Sequence, residues 1–133
     1  MKLHHIAFWT RDIEKQLAFY QKYFDGQVLF KYQSGDFSSA FIKICGCANL
    51  ELMSRSDLKD GGPTDRVGYS HFSIEVDSKA EVDRFTDIFI ADNVPLEKIK
   101  EQYDDGFYES SVIDPDGNLV EIAFVDRNVN SAV

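Results

Sequence analysis

Apolar and polar positions alternate along several short stretches of this chain and recur at helical spacing in two others. Leu3–Thr10 alternates, with Leu3, His5, Ala7 and Trp9 on one face and His4, Ile6 and Phe8 on the other, and so predicts a strand. Asp12 then supplies an N-cap, and Ile13, Leu17, Tyr20 and Phe24 form one apolar helical stripe. Gly26 is placed to end that helix, which is expected from about Ile13 to Asp25. Gln27–Tyr32, Phe37–Ile44 and Ala48–Met53 read as strands, separated by turns at Ser34-Gly35-Asp36 and at Gly46.

The pattern breaks at Ser54–Val67, a polar run containing Gly61-Gly62-Pro63 without periodicity. It resumes at Tyr69–Val76, where His71, Ser73 and Glu75 alternate with Phe72, Ile74 and Val76. Ser78-Lys79-Ala80-Glu81 has the spacing of a capping box, and Val82, Phe85 and Phe89 make the stripe of a helix that stops near Asn93 and Pro95. Strands are expected at about Leu96–Gln102, Phe107–Asp114 and Asn118–Val125, joined by turns at Asp104-Asp105-Gly106 and Pro115-Asp116-Gly117. Each half thus reads β-α-β-β-β, an α+β chain built from two like modules. The first spans about 1–54, a linker about 55–67, the second module about 68–126, and a tail 127–133.

The two halves keep register. His71 follows His5 by 66 positions, Ser78 follows Asp12 by 66, and Phe85 follows Phe19 by 66. Glu121 follows Glu51 by 70, so the second half gains four residues, expected in its later strands or turns. Each module therefore carries one histidine in its first strand and one glutamate in its last.

In Ile113–Phe124, Val120, Ile122 and Phe124 share one strand face, while Glu121 sits between Leu119 and Ala123 on the other. A carboxylate taken out of water needs a partner or a metal, whereas on a one-sided antiparallel sheet it is simply solvated. The apolar pairs Ile6 and Phe8, Leu50 and Leu52, Phe72 and Ile74, and Val120 and Ile122 can all pack on helices. His5, Glu51, His71 and Glu121 would then project from the opposite face. Two imidazoles and two carboxylates suit Zn, Ni, Fe, Mn or Co, with no sulfur to select a soft metal. Taken singly, a strand histidine is more often an ordinary hydrogen-bonded residue, and no short-range ligand motif is present. Residue types alone leave both readings open.

Composition narrows the partners. Hydrophobic residues make up 44% and aromatic residues 14%, with 11 Phe, which excludes a wholly disordered chain and predicts a substantial core. A net charge of −9 argues against nucleic acid, which needs a basic face. No apolar run approaches membrane-spanning length, and Met1–Trp9 has neither the basic start nor the apolar stretch of a signal peptide, so a cytoplasmic location is expected. Cys45 and Cys47 are expected to be buried, reduced thiols. His4 is expected to point away from His5 and to be structural or exposed.

The segments L-H-H-I-A-F-W-T-R-D-I-E-K-Q-L-A-F-Y, N-L-E-L-M, G-Y-S-H-F-S-I-E-V and D-P-D-G-N-L-V-E-I, taken in order over nearly the whole chain, resemble the vicinal oxygen chelate superfamily, specifically small glyoxalase I-like proteins of the glyoxalase/bleomycin resistance/dioxygenase group. The resemblance implies two βαβββ modules forming a U-shaped mixed sheet around one divalent metal, with helices on the outer face and His5, Glu51, His71 and Glu121 as ligands. It implies zinc or nickel first, then iron, manganese or cobalt, and a homodimer acting on a small molecule. The implied reaction isomerises a 2-oxoaldehyde hemithioacetal to a 2-hydroxyacyl thioester through an enediolate, with Glu121 as the catalytic base and Glu51 as the second candidate. Extradiol dioxygenases and fosfomycin-resistance enzymes of the superfamily use two His and one Glu, and bleomycin-binding members lack the metal set. The four-ligand pattern with Glu51 resembles glyoxalase I most; a ring-cleaving or other dioxygenase of the superfamily, which Glu51 disfavours, and a non-catalytic small-molecule-binding module are the alternatives the resemblance implies. In glutathione-dependent glyoxalase I, an arginine and an asparagine stand four residues after the first and second ligands. Here those places hold Trp9 and Arg55, which leaves the thiol open.

Overall fold

The computed structural model describes residues 3–59, 68–129 and 131–132. Ten elements follow in order: β1 (Ile6–Trp9), α1 (Ile13–Tyr23), β2 (Gln27–Ser34), β3 (Phe37–Ile44), β4 (Ala48–Ser54), β5 (His71–Glu75), α2 (Lys79–Ala91), β6 (Leu96–Gln102), β7 (Phe107–Ile113) and β8 (Leu119–Val125). The order is β-α-β-β-β twice, as the periodicity predicts. Contacts divide the chain into two units, Met1–Gly62 and Pro63–Val133. Most of the expected linker, residues 60–67 with Gly61-Gly62-Pro63, lies outside the described residues.

Each unit is one four-stranded mixed sheet with one helix. The first sheet has the order β1-β4-β3-β2 and the second β5-β8-β7-β6. The first strand of each module lies parallel to the last, and the other pairings are antiparallel. The crossover through the helix makes the parallel pairing possible, and turns join the remaining strands.

In the first unit α1 packs on β3 and β4. Leu17, Tyr20 and Phe24 meet a sheet face built from Phe8, Ala40, Ile42, Ile44, Leu50 and Leu52, all of them buried. The Asp12 carboxylate caps the helix by accepting from Lys15 N at 3.0 Å. Its C-terminal end differs from expectation. Asp25 takes the left-handed conformation, with φ 50, and Gly26 is needed for space instead: a Cβ there would lie 2.7 Å from Ile42 Cδ1 and 2.8 Å from the Tyr20 backbone.

In the second unit α2 packs on β6, β7 and β8, and Val82, Thr86 and Phe89 are its buried residues. Phe85, expected on this stripe, is half-buried and carries the Arg84 guanidinium 4.4 Å from its ring centroid. Thr86 takes the core position because its hydroxyl donates to the Val82 carbonyl at 2.7 Å and meets the buried Ser110 hydroxyl at 2.8 Å. Of the capping box only half forms: Ser78 accepts from Glu81 N at 3.2 Å, while the Glu81 carboxylate turns to Arg84 at 3.0 Å.

The extra length of the second module is spread along it. Half of it lies in α2, which has 13 residues against 11 in α1, and the rest is in the turns flanking a β6 that carries register shifts around Lys98. Cys45 and Cys47 are exposed, not buried. They flank Gly46 in the β3–β4 turn, where φ is positive at Cys45 and Gly46, so neither side chain faces the core. Although the residue as a whole is exposed, nearby atoms partly shield the Cys45 thiol from water, and this desolvation, followed by Cys47 and Asp25, raises its pKa. Of the phenylalanines, Phe8, Phe19, Phe24 and Phe89 are core residues, whereas Phe30 is exposed on the sheet face away from α1.

Candidate functional site

Alternation along β4 puts Leu50 and Leu52 under α1 and turns Glu51 to the other face of the sheet. His5 stands just before β1, whose parallel register sets Ala7 opposite Glu51. His5 Nε2 lies 3.3 Å from Glu51 Oε2. The second unit repeats this placement: Ser73, two residues after His71, pairs with Glu121, and His71 Nε2 lies 3.5 Å from Glu121 Oε2. Glu121 is 8% exposed although it carries a carboxylate, because β8 is the second strand of its sheet, flanked by β5 and β7.

The structure therefore brings the four expected residues together as two pairs, His5 with Glu51 and His71 with Glu121. Among the described residues, no group of three or more His, Cys, Asp or Glu is gathered so as to hold an ion. Each pair by itself fits a shared metal. The two separations exceed the roughly 2.7–2.9 Å of a charge-assisted hydrogen bond. The first falls within, and the second slightly beyond, the roughly 3.3–3.4 Å between two tetrahedral ligands that are each about 2.0–2.1 Å from one ion.

The surroundings of the two pairs differ in chemistry. In the first unit, Phe41 pairs with Glu51 across β3 and β4 and packs edge-on to His5, with ring centroids 5.1 Å apart. Phe30 stacks on Phe41 at 4.7 Å, and Phe37 touches both Trp9 and Tyr32. Trp9, Phe30 and Tyr32 are about half exposed, so this face is an open aromatic floor beside a carboxylate and an imidazole. Trp9 and Arg55, the two positions that depart from the glutathione pattern, lie together: the Arg55 guanidinium covers the Trp9 ring at 4.8 Å and its Nε donates to Asp57 Oδ1 at 2.8 Å.

In the second unit the wall is ionic. Glu109 on β7 pairs with Ala123, one step along the face from the Ser111–Glu121 pair, and is buried. Lys98 Nζ donates to Glu109 Oε1 at 2.9 Å and to the Tyr103 hydroxyl, which in turn donates to Glu101 Oε2 at 2.7 Å. Burial raises the Glu109 pKa most; the Lys98 hydrogen bond opposes this, and the charge of Glu121 and a hydrogen bond with it raise it further. The Tyr69 hydroxyl is pushed up to about 12, first by burial and then by the Asp114 carboxylate. Asp114 organises the turn before β8: its Oδ1 accepts from Asp116 N at 3.0 Å and Asn118 N at 2.8 Å, and its Oδ2 from Asn118 Nδ2 at 2.8 Å.

Glu109 and Lys98 escape a reading of the sequence because their β6–β7 register contains shifts that alternation cannot anticipate. His4 was expected to point away from His5, yet its Nδ1 lies 2.8 Å from His5 Nδ1. The strand begins only at Ile6, so alternation does not govern residues 4 and 5.

A family model described as Glyoxalase/Bleomycin resistance protein/Dioxygenase superfamily matches residues 2–122. No curated protein matches the chain. Among solved structures, the chain is similar to a glyoxylase/bleomycin resistance protein/dioxygenase domain from Frankia sp. EAN1pec, with TM-score 0.82 and 17% identity over 95% of this chain and 98% of that one. It is similar to lactoylglutathione lyase from Agrobacterium tumefaciens, with TM-score 0.68 and 29% identity over 92% of each chain. It is also similar to the fosfomycin resistance protein FosX from Listeria monocytogenes, complexed with Mn(II) and sulfate, with TM-score 0.71 and 21% identity over 98% of this chain and 97% of that one.

Proposed function

The chain belongs to the Glyoxalase/Bleomycin resistance protein/Dioxygenase superfamily, and we propose that within it the protein is a metal-dependent, glyoxalase I-like lyase or isomerase. Its substrate is the hemithioacetal of a 2-oxoaldehyde and a thiol, and its product a 2-hydroxyacyl thioester. The observation that carries this reading is the repeated pair: in both units a histidine Nε2 faces a glutamate oxygen at 3.3 and 3.5 Å, at the same strand register.

His5, Glu51, His71 and Glu121 would hold one divalent ion, with zinc or nickel first and iron, manganese or cobalt next. A full set takes both pairs, from the modules of one chain or of two chains in a homodimer, and a cytoplasmic homodimer is part of the proposal. When bound, the ion supplies Lewis-acid stabilisation of the negative charge that develops on the substrate oxygens. Glu121 takes the proton from the hemithioacetal carbon and returns it to the neighbouring carbon, with an enediolate between the two steps. The first carbon is oxidised to the thioester carbonyl as the second is reduced to the alcohol, so no external electron acceptor is needed. Glu51 is the second candidate for the base; the deeper burial of Glu121, whose side chain is 11% exposed against 18%, supports the choice. The aromatic floor of Trp9, Phe30 and Phe41 would hold apolar parts of the substrate.

Metal analysis of the purified protein, followed by a methylglyoxal assay with glutathione and several other thiols, tests the reading. Expected are a bound divalent ion and thioester formation with at least one thiol. Glu121→Gln is expected to lower turnover at least 100-fold while keeping most of the metal. A protein that is metal-free and inactive overturns the reading, and iron retention with oxygen uptake would assign a dioxygenase instead.

A further inference from the structure

The residue immediately before each candidate histidine ligand touches that ligand's other ring nitrogen. His4 Nδ1 lies 2.8 Å from His5 Nδ1, and Ser70 Oγ lies 3.1 Å from His71 Nδ1. In both units Nε2 is the nitrogen that faces the glutamate. The chain therefore builds the same three-part line twice, from glutamate to imidazole to a polar side chain one residue earlier, with His4 and Ser70 themselves 66 positions apart. His4 is also fixed from the sheet: Asn49 Nδ2, on β4 two residues before Glu51, donates to the His4 carbonyl at 3.2 Å.

We propose that His4 and Ser70 are positioning residues, which hold the His5 and His71 rings through Nδ1 and so present Nε2 as the ligating nitrogen; the proposal rests on the metal reading above. The physical reason lies in the tautomers. Two neutral imidazoles with Nδ1 atoms 2.8 Å apart share a single proton between those atoms. When that proton is on His5, His4 is the acceptor and the His5 Nε2 lone pair is free for a metal. When it is on His4, His5 Nε2 carries the other proton toward Glu51. The contact thus orients the ring in both states: passing from the second to the first moves the shared proton to His5 Nδ1 while His5 Nε2 gives up its own proton toward Glu51 and water and His4 Nε2 takes one from water, so both rings stay neutral and His5 Nε2 is left bare. Ser70 serves His71 likewise, since a hydroxyl either donates or accepts.

The test uses full-length protein with 15N-labelled histidine at a pH where the rings are neutral, comparing wild type with His4→Phe and His4→Asn. His4 is exposed, so neither change removes core packing. In metal-free wild type, His5 Nδ1 and His4 Nδ1 should give complementary 15N shifts, one protonated and one bare. His4→Phe should leave His5 as the solvent-averaged mixture of tautomers, and His4→Asn should restore a single dominant form. Zinc titration is expected to show affinity reduced about 10- to 100-fold by His4→Phe and by Ser70→Ala, with recovery to within a few fold in His4→Asn and Ser70→Thr. Identical His5 shifts in wild type and His4→Phe overturn the proposal whatever the zinc result. Wild-type protein that binds no zinc but shows the expected tautomer shift overturns the metal reading and leaves the ring contact standing on its own.

Discussion

Lys98 Nζ lies 2.9 Å from Glu109 Oε1, and this pair puts a buried carboxylate on the same sheet face as Glu121. Because the Glu109 pKa is raised above 4.5, its contribution favours the fold fully below that value and is lost as pH rises through the raised one. Glu109→Gln cannot ionise and should remove that slope, so its unfolding free energy falls less than that of wild type between pH 4.5 and neutrality. Lys98→Met should steepen the slope, costing about 2 kcal/mol at neutral pH and little at acid pH. Urea denaturation of the three proteins at both ends of the range checks the sign; equal slopes in wild type and Glu109→Gln count against it.

Gly26 and Asp25 divide between them what one glycine was expected to do. Gly26→Ala forces a Cβ against the Tyr20 backbone and Ile42, and should destabilise by about 2 kcal/mol or more. Asp25→Gly relieves a left-handed φ of 50 and should stabilise by about 0.5 kcal/mol. Opposite shifts of the thermal midpoint by adjacent substitutions are the expected result.

The half-formed cap of α2 separates two residues that a capping-box pattern treats as partners. Ser78→Ala removes the acceptor for Glu81 N and should cost about 1 kcal/mol. Glu81→Ala breaks only an exposed contact to Arg84, and its midpoint should stay close to that of wild type. Comparable losses in both variants would show that a reciprocal box forms in solution.

The Asp114 carboxylate accepts from Asp116 N, Asn118 N and Asn118 Nδ2 within the turn that launches β8. Asp114→Ala should destabilise by about 2–3 kcal/mol. Because the turn sets where β8 begins, this variant should also weaken zinc binding at the proposed site of His5, Glu51, His71 and Glu121, which is read by titration; zinc affinity equal to that of wild type in a folded variant would confine Asp114 to stability.

The order of elements was legible in the sequence because its causes are local. Alternation, helical stripes, Asp12 and Ser78 as caps, and the glycine turns are each set by residues a few positions apart, and Phe37–Ile44 and Leu96–Gln102 appear with the expected boundaries. Alternation also assigned Glu51 and Glu121 to the face opposite the buried leucines, valine and isoleucine. What only the tertiary structure decided depends on partners distant in the chain. The parallel pairing of β1 with β4 and of β5 with β8 sets each histidine against its glutamate; shifted register brings Lys98 to Glu109; the late start of β1 lets His4 reach His5. Local pattern tells a side chain which face to occupy, but its neighbour on that face is set by strand pairing, whose hydrogen bonds join residues that carry no trace of one another in sequence.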